Sequence, residues 1–221
     1  MSLKTLLIGI YYCHYFWFYL CIHGTGKAKI NMKKKGYSCG IDEVGRGALA
    51  GPLVVSCVSF DDYCDIPLGI RDSKVISLKK RNSLYLEIIE KARVATSIIS
   101  SKIIDKIGIQ KSTEKAAIQS FNKIRRFISH IYLDGNININ TNIKHYNIKK
   151  GDCNFVSIAA ASIIAKCTRD KMMLNLSKKY TQYGWERNVG YGTKEHLLAI
   201  RKYGITKFHR VSYEPVKSVL K

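Results

Sequence analysis

The order of strand-like and helix-like segments is the feature of this sequence that most constrains its fold. Runs rich in β-branched residues predict strands, and longer stretches with apolar residues at helical spacing predict helices. The predicted strands span residues 37–41, 52–60, 94–100 and 131–133, and the predicted helices span residues 78–91, 112–128, 155–180 and 194–203. Residues 137–149 are polar and predict an irregular loop with a short strand. This alternation indicates an α/β fold: a mixed sheet, helices packed around it and a small helical C-terminal part.

The first 31 residues differ in character from the rest. Residues 6–22 form an apolar, aromatic run interrupted by His14. A membrane span needs about 20 such residues, and no small-residue cleavage site typical of a signal peptide follows. A third interpretation is that residues 1–31 are not native coding sequence, because Met32 opens a short basic start before the first predicted strand. We favour this third interpretation, with one folded domain over residues 32–221.

The charge balance indicates a phosphate-rich partner. Lys and Arg number 37 against 16 for Asp and Glu, which gives a net charge of +21. Such a surplus creates a positive surface field that attracts nucleic acid. The competing interpretation is compositional drift, since the chain is also rich in Ile, Asn and Tyr. Charge alone therefore favours a nucleic-acid partner without deciding it.

The cysteines indicate a reducing compartment. There are seven, an odd number, and no two stand in a C-x-x-C pair. That pattern argues against a zinc site and against a disulfide framework. It predicts a cytoplasmic protein.

Four acidic residues carry the predicted chemistry. Asp42 and Glu43 end the first predicted strand, Asp134 ends the fourth, and Asp152 stands just before the longest helix. Strand ends in an α/β fold can meet at one edge of the sheet. Carboxylates gathered there repel one another unless cations bind between them. Mg²⁺ or Mn²⁺ suits oxygen ligands, and two such ions can catalyse phosphodiester hydrolysis.

Each acid also has a structural interpretation. Asp134 precedes a glycine, and Asp-Gly is a common turn pair. Asp152 suits the N-terminal end of a helix because of the helix dipole. The pair Asp42-Glu43 is harder to explain in this way, because strand alternation turns one of the two inward on an apolar strand.

Sequence blocks then indicate a family. The stretch GIDEVGRGALAGPL at residues 40–53 resembles the opening signature of the ribonuclease HII family. Further blocks follow in that family's order: RDSK at Arg71, LDGN at Leu133, SIAAASIIAKCTRD at Ser157, GYGTKEH at Gly190 and HRVSYEPV at His209. The resemblance spans residues 40–216, and it is specific because the blocks occur together and in order.

The resemblance implies a ribonuclease H-like domain with a defined activity. That activity is hydrolysis of the RNA strand of RNA–DNA hybrids, with cutting on the 5′ side of single ribonucleotides in duplex DNA. Asp42, Glu43, Asp134 and Asp152 correspond to the catalytic, metal-binding carboxylates, which implies Mg²⁺ or Mn²⁺, two ions in all. The implied partner is an RNA–DNA hybrid or a ribonucleotide-containing duplex. We expect a monomer without a small-molecule cofactor.

The resemblance also implies substrate-binding residues. Gly45, Arg46 and Gly47 match a loop that senses the 2′-hydroxyl of a ribonucleotide, which alone separates RNA from DNA there. Tyr191 resembles the tyrosine that packs on the adjoining deoxyribose. Lys74 is predicted to approach a phosphate or the metal cluster, although a loop lysine is often merely solvated. Arg169 is predicted to contact a backbone phosphate.

The chain departs from the family pattern at one position, and one rival interpretation of its function stays open. The family usually has a His-Lys pair where this chain has Asn188-Val189, so a substrate contact is expected to be lost. The rival is a non-catalytic, basic nucleic-acid-binding protein with the same fold. It predicts salt-sensitive binding without cleavage when a divalent cation is supplied.

Overall fold

The computed structural model describes residues 37–61, 65–71, 73, 76–126 and 128–220. The strands are β1 (Tyr37–Val44), β2 (Leu53–Ser59), β3 (Arg93–Ile99), β4 (Ile128–Asp134) and β5 (Lys144–Ile148). The helices are α1 (Leu78–Lys91), α2 (Ser101–Ile107), α3 (Ile109–Ile124), α4 (Gly151–Asn154), α5 (Val156–Ser177), α6 (Trp185–Asn188), α7 (Lys194–Tyr203) and α8 (Glu214–Lys217), with a 3₁₀ turn at Thr181–Tyr183.

The strands form one mixed sheet in the order β3-β2-β1-β4-β5. β2 pairs antiparallel with both β1 and β3, whereas β4 pairs parallel with both β1 and β5. Within the parallel pair, Ile41 lies opposite Leu133. The next residue on each strand is an aspartate, so Asp42 and Asp134 come to the same edge of the sheet. The predicted mixed sheet is confirmed.

Helices cover both faces of the sheet. On one face α2 and α3 pack on the strands through buried residues such as Ile104 and Phe121. On the other face α1 and α5 bury Leu84, Ile88 and the alanines of α5. Close approach of α5 depends on Gly40, because a Cβ there would stand 2.2 Å from the backbone nitrogen of Ile158.

The C-terminal helices form a third apolar cluster. It joins the turn between β1 and β2 to α5, the 3₁₀ turn and helices α6 to α8. Its buried members are Leu49, Ala50, Met173, Tyr183, Trp185, Ala199, Ile200 and Val216. The predicted helical C-terminal part is thus packed directly on the turn that follows Asp42 and Glu43.

Several predicted boundaries needed correction. The helix predicted over residues 112–128 is α3, which ends at Ile124, while Ile128 opens β4. A separate helix, α2, precedes it and was not predicted; Gly108, at φ +80°, breaks the two apart. The longest helix is shorter than predicted: α5 begins at Val156, after the extended backbone of Phe155, and it ends at Ser177.

Two helix boundaries were predicted correctly. Ser77 caps α1, where its hydroxyl accepts a hydrogen bond from the Lys80 amide, and α7 ends at Gly204. The predictions for residues 1–31 lie outside the described residues. In the part of the chain that is described, no helix combines the length and the apolar character needed to cross a membrane.

Candidate active site

Three predicted carboxylates meet at the edge of the sheet. Asp42 is only 5% exposed, near the end of β1 and facing α5. Its burial, followed by the charges of Glu43 and Asp134, raises the pKa of the Asp42 carboxyl well above its usual range. Hydrogen bonds from the Ser162 hydroxyl and from the Glu43 amide, at 2.7 Å, partly oppose that rise. The structure therefore gathers negative charge where the sequence predicted it.

Asp152 is linked to the same edge of the sheet through the neighbouring residue Gly151. The amide of Gly151 donates a hydrogen bond to Oδ1 of Asp134 at 2.7 Å. Lys150, with a left-handed backbone, turns the chain into α4, whose first turn carries Asp152. Asp152 is buried. The main chain of Gly151, next to Asp152, is thus hydrogen-bonded to the side chain of Asp134.

The donor chemistry of these residues fits a divalent cation. All four offer carboxylate oxygens, the ligands that Mg²⁺ and Mn²⁺ prefer, and a cation would relieve the repulsion that acts on Asp42. Within the described ranges, however, no three His, Cys, Asp or Glu side chains are arranged to hold an ion. The residues match a hard cation in chemistry, while the number and identity of the ions stay predictions.

Two serines support the cluster and were not predicted. Ser162, buried on α5, bonds to Asp42 and lies 2.9 Å from the hydroxyl of Ser73. Nη1 of Arg81 in turn donates to the Ser73 carbonyl at 3.0 Å. The available signal in the sequence was a hydroxyl among the alanines of α5. Lys74 lies outside the described residues, so its predicted phosphate contact stays a prediction.

The chain after Glu43 forms a turn over residues 45–52, which we call the glycine–arginine turn. Gly45 is buried at φ +99°, whereas a Cβ on Gly47 would meet no atom within 4 Å. Arg46 is partly exposed; its Nη1 lies 3.8 Å from Oε1 of Glu43 and its Nη2 donates to Gln110 at 2.9 Å. The turn therefore presents an open backbone at Gly47 beside the carboxylates.

A second turn, over residues 188–192, lies against the first, and we call it the tyrosine turn. Its Gly190 carbonyl accepts hydrogen bonds from the amides of Leu49 at 2.8 Å and Ala50 at 3.2 Å. Tyr191, within this turn, is half-buried. The two elements that the sequence predicted to read the sugar are thus joined directly by main-chain hydrogen bonds.

Asn188, where the family usually has a histidine, has a structural role in the tyrosine turn. Its side chain is buried, donates to the Tyr183 carbonyl at 2.7 Å and accepts from the Gly190 amide at 2.9 Å. Both polar atoms of the amide therefore bond within the protein. The expected loss of a substrate contact at this position stays a prediction.

The prediction that Arg169 contacts a backbone phosphate is wrong, because its side chain does not reach the surface. The residue is 0% exposed. Its guanidinium donates to the carbonyls of Pro52 at 2.9 Å, Val189 at 2.8 Å and Ala50 at 3.0 Å. Burial lowers the pKa of Arg169 to about 10. An arginine in a sequence block near a nucleic-acid site suggests a phosphate ligand, but only the packing reveals whether it reaches solvent.

Known proteins match both the sequence and the fold. A family model described as Ribonuclease HII matches residues 39–216. The ribonuclease HII of Bacillus cytotoxicus is 43% identical over 193 residues, covering 86% of this chain and 74% of that protein. The ribonuclease HII of Archaeoglobus fulgidus, solved as a complex with PCNA, superposes with a TM-score of 0.71 at 25% identity, covering 80% and 95% of the two chains.

A further solved structure, the ribonuclease H2 of Pyrococcus horikoshii OT3, has the same fold. It superposes with a TM-score of 0.71 at 24% identity, covering 83% of this chain and 96% of that one. The family model reaches from β1 through α8, so it includes both the carboxylate edge and the two turns. On these matches, the chain belongs to the ribonuclease HII family of nucleases and has their ribonuclease H-like fold.

Proposed function

We propose that this ribonuclease hydrolyses the RNA strand of RNA–DNA hybrids and cuts on the 5′ side of a single ribonucleotide in duplex DNA. The products would carry a 3′-hydroxyl and a 5′-phosphate. One observation carries the proposal: the carboxylates of Asp42, Glu43 and Asp134 share a sheet edge with the open backbone of Gly47. Groups for cutting and groups for recognising a ribose therefore lie side by side.

The carboxylates would hold divalent cations, in keeping with the metal dependence of the family. We assign this role to Asp42, Glu43, Asp134 and Asp152, with Mg²⁺ or Mn²⁺ and two ions as the working proposal. When bound, such ions supply activation of the attacking water and stabilisation of the leaving oxygen. The Glu43 amide holds Oδ1 of Asp42, and the Gly151 amide holds Oδ1 of Asp134. These bonds orient the two aspartates before any ion arrives.

The two turns would recognise the sugar. Gly45 and Gly47 leave the backbone free of side chains on the glycine–arginine turn, so its amides and carbonyls can approach a 2′-hydroxyl. The ring of Tyr191 would pack on the next sugar, which must lack that hydroxyl. Such recognition is independent of the base sequence. The net charge of +21 would add salt-dependent affinity for the phosphate backbone.

The test is cleavage of a DNA duplex that contains one ribonucleotide, with Mg²⁺ or Mn²⁺ supplied. We expect a cut on the 5′ side of the ribonucleotide. Asp42→Asn should lower kcat by more than about 100-fold, since loss of an outer-shell partner of a metal site already costs about 10- to 100-fold. Asp61→Asn is the matched control, because that carboxylate pairs with Arg93 at the protein surface.

Three outcomes oppose the proposal. Salt-sensitive binding of the duplex without cleavage would favour the non-catalytic rival. Cleavage at positions that bear no ribonucleotide would contradict the substrate assignment. Undiminished cutting by Asp42→Asn would contradict the site assignment.

The proposed setting is the cytoplasm, and the proposed state is a monomer. The odd number of cysteines and the lack of a C-x-x-C pair in the sequence support the first point. Light scattering of the purified protein tests the second point. A mass near 25.1 kDa agrees with a monomer, and twice that value contradicts it.

A further inference from the structure

We propose that Arg169 is a positioning residue, which sets the distance between the glycine–arginine turn and the tyrosine turn and thereby the preference for an RNA-to-DNA step. The inference rests on the proposed function, in which one turn reads the 2′-hydroxyl and the other reads the adjoining deoxyribose. Arg169 itself, fully buried, touches neither substrate nor ion.

The guanidinium of Arg169 connects the two turns. Its Nε and Nη2 atoms donate to Pro52 and Ala50 of the glycine–arginine turn, at 2.9 and 3.0 Å. Its Nη1 atom donates to Val189 of the tyrosine turn at 2.8 Å. The guanidinium carbon also lies 5.4 Å from the ring centroid of Tyr191. One rigid, planar group therefore bonds to both turns at once and, together with the main-chain hydrogen bonds from Leu49 and Ala50 to Gly190, fixes their separation.

The backbone on each side adapts to this contact. At Gly45, a Cβ would lie 2.3 Å from Nε of Arg169, so the arginine stem packs directly on the turn. Val189 has φ +41°, a left-handed backbone that a β-branched residue rarely adopts. Such strain persists only where the surroundings enforce it. The hydrogen bond from Arg169 to the Val189 carbonyl is one such restraint.

The burial of a charged group at this point argues for a role in geometry. The acceptors of the three hydrogen bonds are neutral carbonyls, and burial lowers the pKa of Arg169. An apolar residue of similar size would leave three buried carbonyls without this donor. What an apolar residue lacks is the set of directed bonds to two separate segments. The geometry thus supplies a reason for arginine that packing alone does not.

Arg210 provides a matched control. It is equally buried, and its Nε and Nη2 atoms donate to Gly51 at 3.2 and 3.0 Å. Its Nη1 atom donates to the Arg46 carbonyl at 2.8 Å and to the Tyr213 hydroxyl at 3.1 Å. Both of its main-chain acceptors belong to the glycine–arginine turn. Arg210 therefore supports one turn, whereas Arg169 joins two.

The experiment compares Arg169→Lys with Arg210→Lys on two substrates. One is a DNA duplex with a single ribonucleotide, which contains an RNA-to-DNA step, and the other is an all-RNA strand paired with DNA, which contains none. Values of kcat and KM are measured for each, with Mg²⁺ present. Lysine keeps the charge but cannot form the planar fork.

Arg169→Lys should lower the ratio of kcat/KM for the single ribonucleotide to that for the hybrid by about 10-fold, since a displacement of about 1 Å in a site costs up to about 100-fold. Arg210→Lys should lower both values together and leave the ratio within about 2-fold. A residue that merely stabilises the fold would not change the ratio, so thermal melting of both variants separates stability from selectivity.

The outcomes distinguish this inference from the proposed function. A wild-type protein that cuts neither substrate contradicts the proposed function. A wild-type protein that cuts both, with an unchanged ratio in Arg169→Lys or an equal shift in Arg210→Lys, contradicts the positioning role alone. If Arg169→Lys does not fold, Gly190→Ala replaces it, because a Cβ at residue 190 would lie 2.4 Å from the Ala50 carbonyl oxygen and would push the two turns apart while keeping the guanidinium. An unchanged ratio in Gly190→Ala then overturns the inference.

Discussion

The carboxylate edge, formed by Asp42, Glu43 and Asp134, and the buried guanidinium of Arg169 beside it place charged groups in opposite environments. Burial, followed by the like charges of Glu43 and Asp134, raises the pKa of the Asp42 carboxyl. Arg169 is buried at least as deeply, yet all three of its nitrogens donate hydrogen bonds to carbonyls. The first arrangement suits a group that must bind a cation, and the second suits a group that holds the backbone in place. Burial of a charge therefore does not by itself indicate function; the two cases differ in their neighbours, which are like charges around Asp42 and neutral carbonyls around Arg169.

Removal of the guanidinium should have the largest effect on stability in this comparison. We expect Arg169→Met to lower the free energy of unfolding by about 3 to 5 kcal/mol, because three buried carbonyls lose their donors. Chemical denaturation followed by circular dichroism measures the change. Lys171→Met, on the exposed side of the same helix, is the control and should change it by less than about 0.5 kcal/mol. A loss below about 1 kcal/mol would show that the carbonyls find other partners.

Acid should weaken the protein through a buried histidine chain next to the tyrosine turn. The Thr206 amide donates to Nδ1 of His209 at 2.9 Å, so Nε2 of His209 carries the proton and faces Nε2 of His196 at 3.2 Å. Nδ1 of His196 then donates to the Tyr191 carbonyl at 2.9 Å. Both rings are neutral in this arrangement, and the hydrogen bond from the Thr206 amide leaves no room for an added proton at Nδ1 of His209.

Burial, followed by the charge of His196, lowers the pKa of His209 from 6.5 to about 4. Between these values the unfolded chain binds a proton that the folded chain excludes, so stability rises with pH across this window. Its contribution is complete above about pH 6.5 and falls by up to about 3 kcal/mol as the pH drops to about 4. Denaturation at several pH values measures this slope. His209→Asn should flatten it, whereas His145→Asn, at an exposed position, should leave it unchanged.

The smallest expected effect is a gain in stability at the carboxylate edge. The folded-state pKa of Asp42 lies above its unfolded value, so its stabilising contribution is present at low pH and lost as the carboxyl ionises. Asp42→Asn should therefore raise the free energy of unfolding at neutral pH with divalent cations removed. Added Mg²⁺ should make the wild type more stable than Asp42→Asn, because the ion binds the wild type more tightly. Destabilisation by Asp42→Asn in the chelated protein would contradict the contrast with Arg169.

Much of this arrangement could be predicted from the sequence. The acids at residues 42, 43 and 134 were predicted to meet because strand ends in an α/β fold share an edge, and the parallel register of β1 and β4 agrees. Local signals also located α1 and α7, through Ser77 and Gly204. Prediction was poorer at Gly108 and Ile128, where residues at helical spacing belong to separate elements. Apolar spacing alone cannot distinguish a continuous helix from two helices and a strand.

The sequence by itself determined the order of the elements, the acids at the strand ends and the glycines of the first turn, because periodicity, capping and turn chemistry act over a few residues. Only the tertiary structure decided that Ser162 supports Asp42 and that Arg169 is buried between two turns. Those facts depend on contacts between distant parts of the chain: the acceptor carbonyl of Ala50 lies 119 residues from Arg169. Whether a cationic side chain binds phosphate or donates hydrogen bonds to the backbone depends on such contacts, since they alone determine its exposure to solvent.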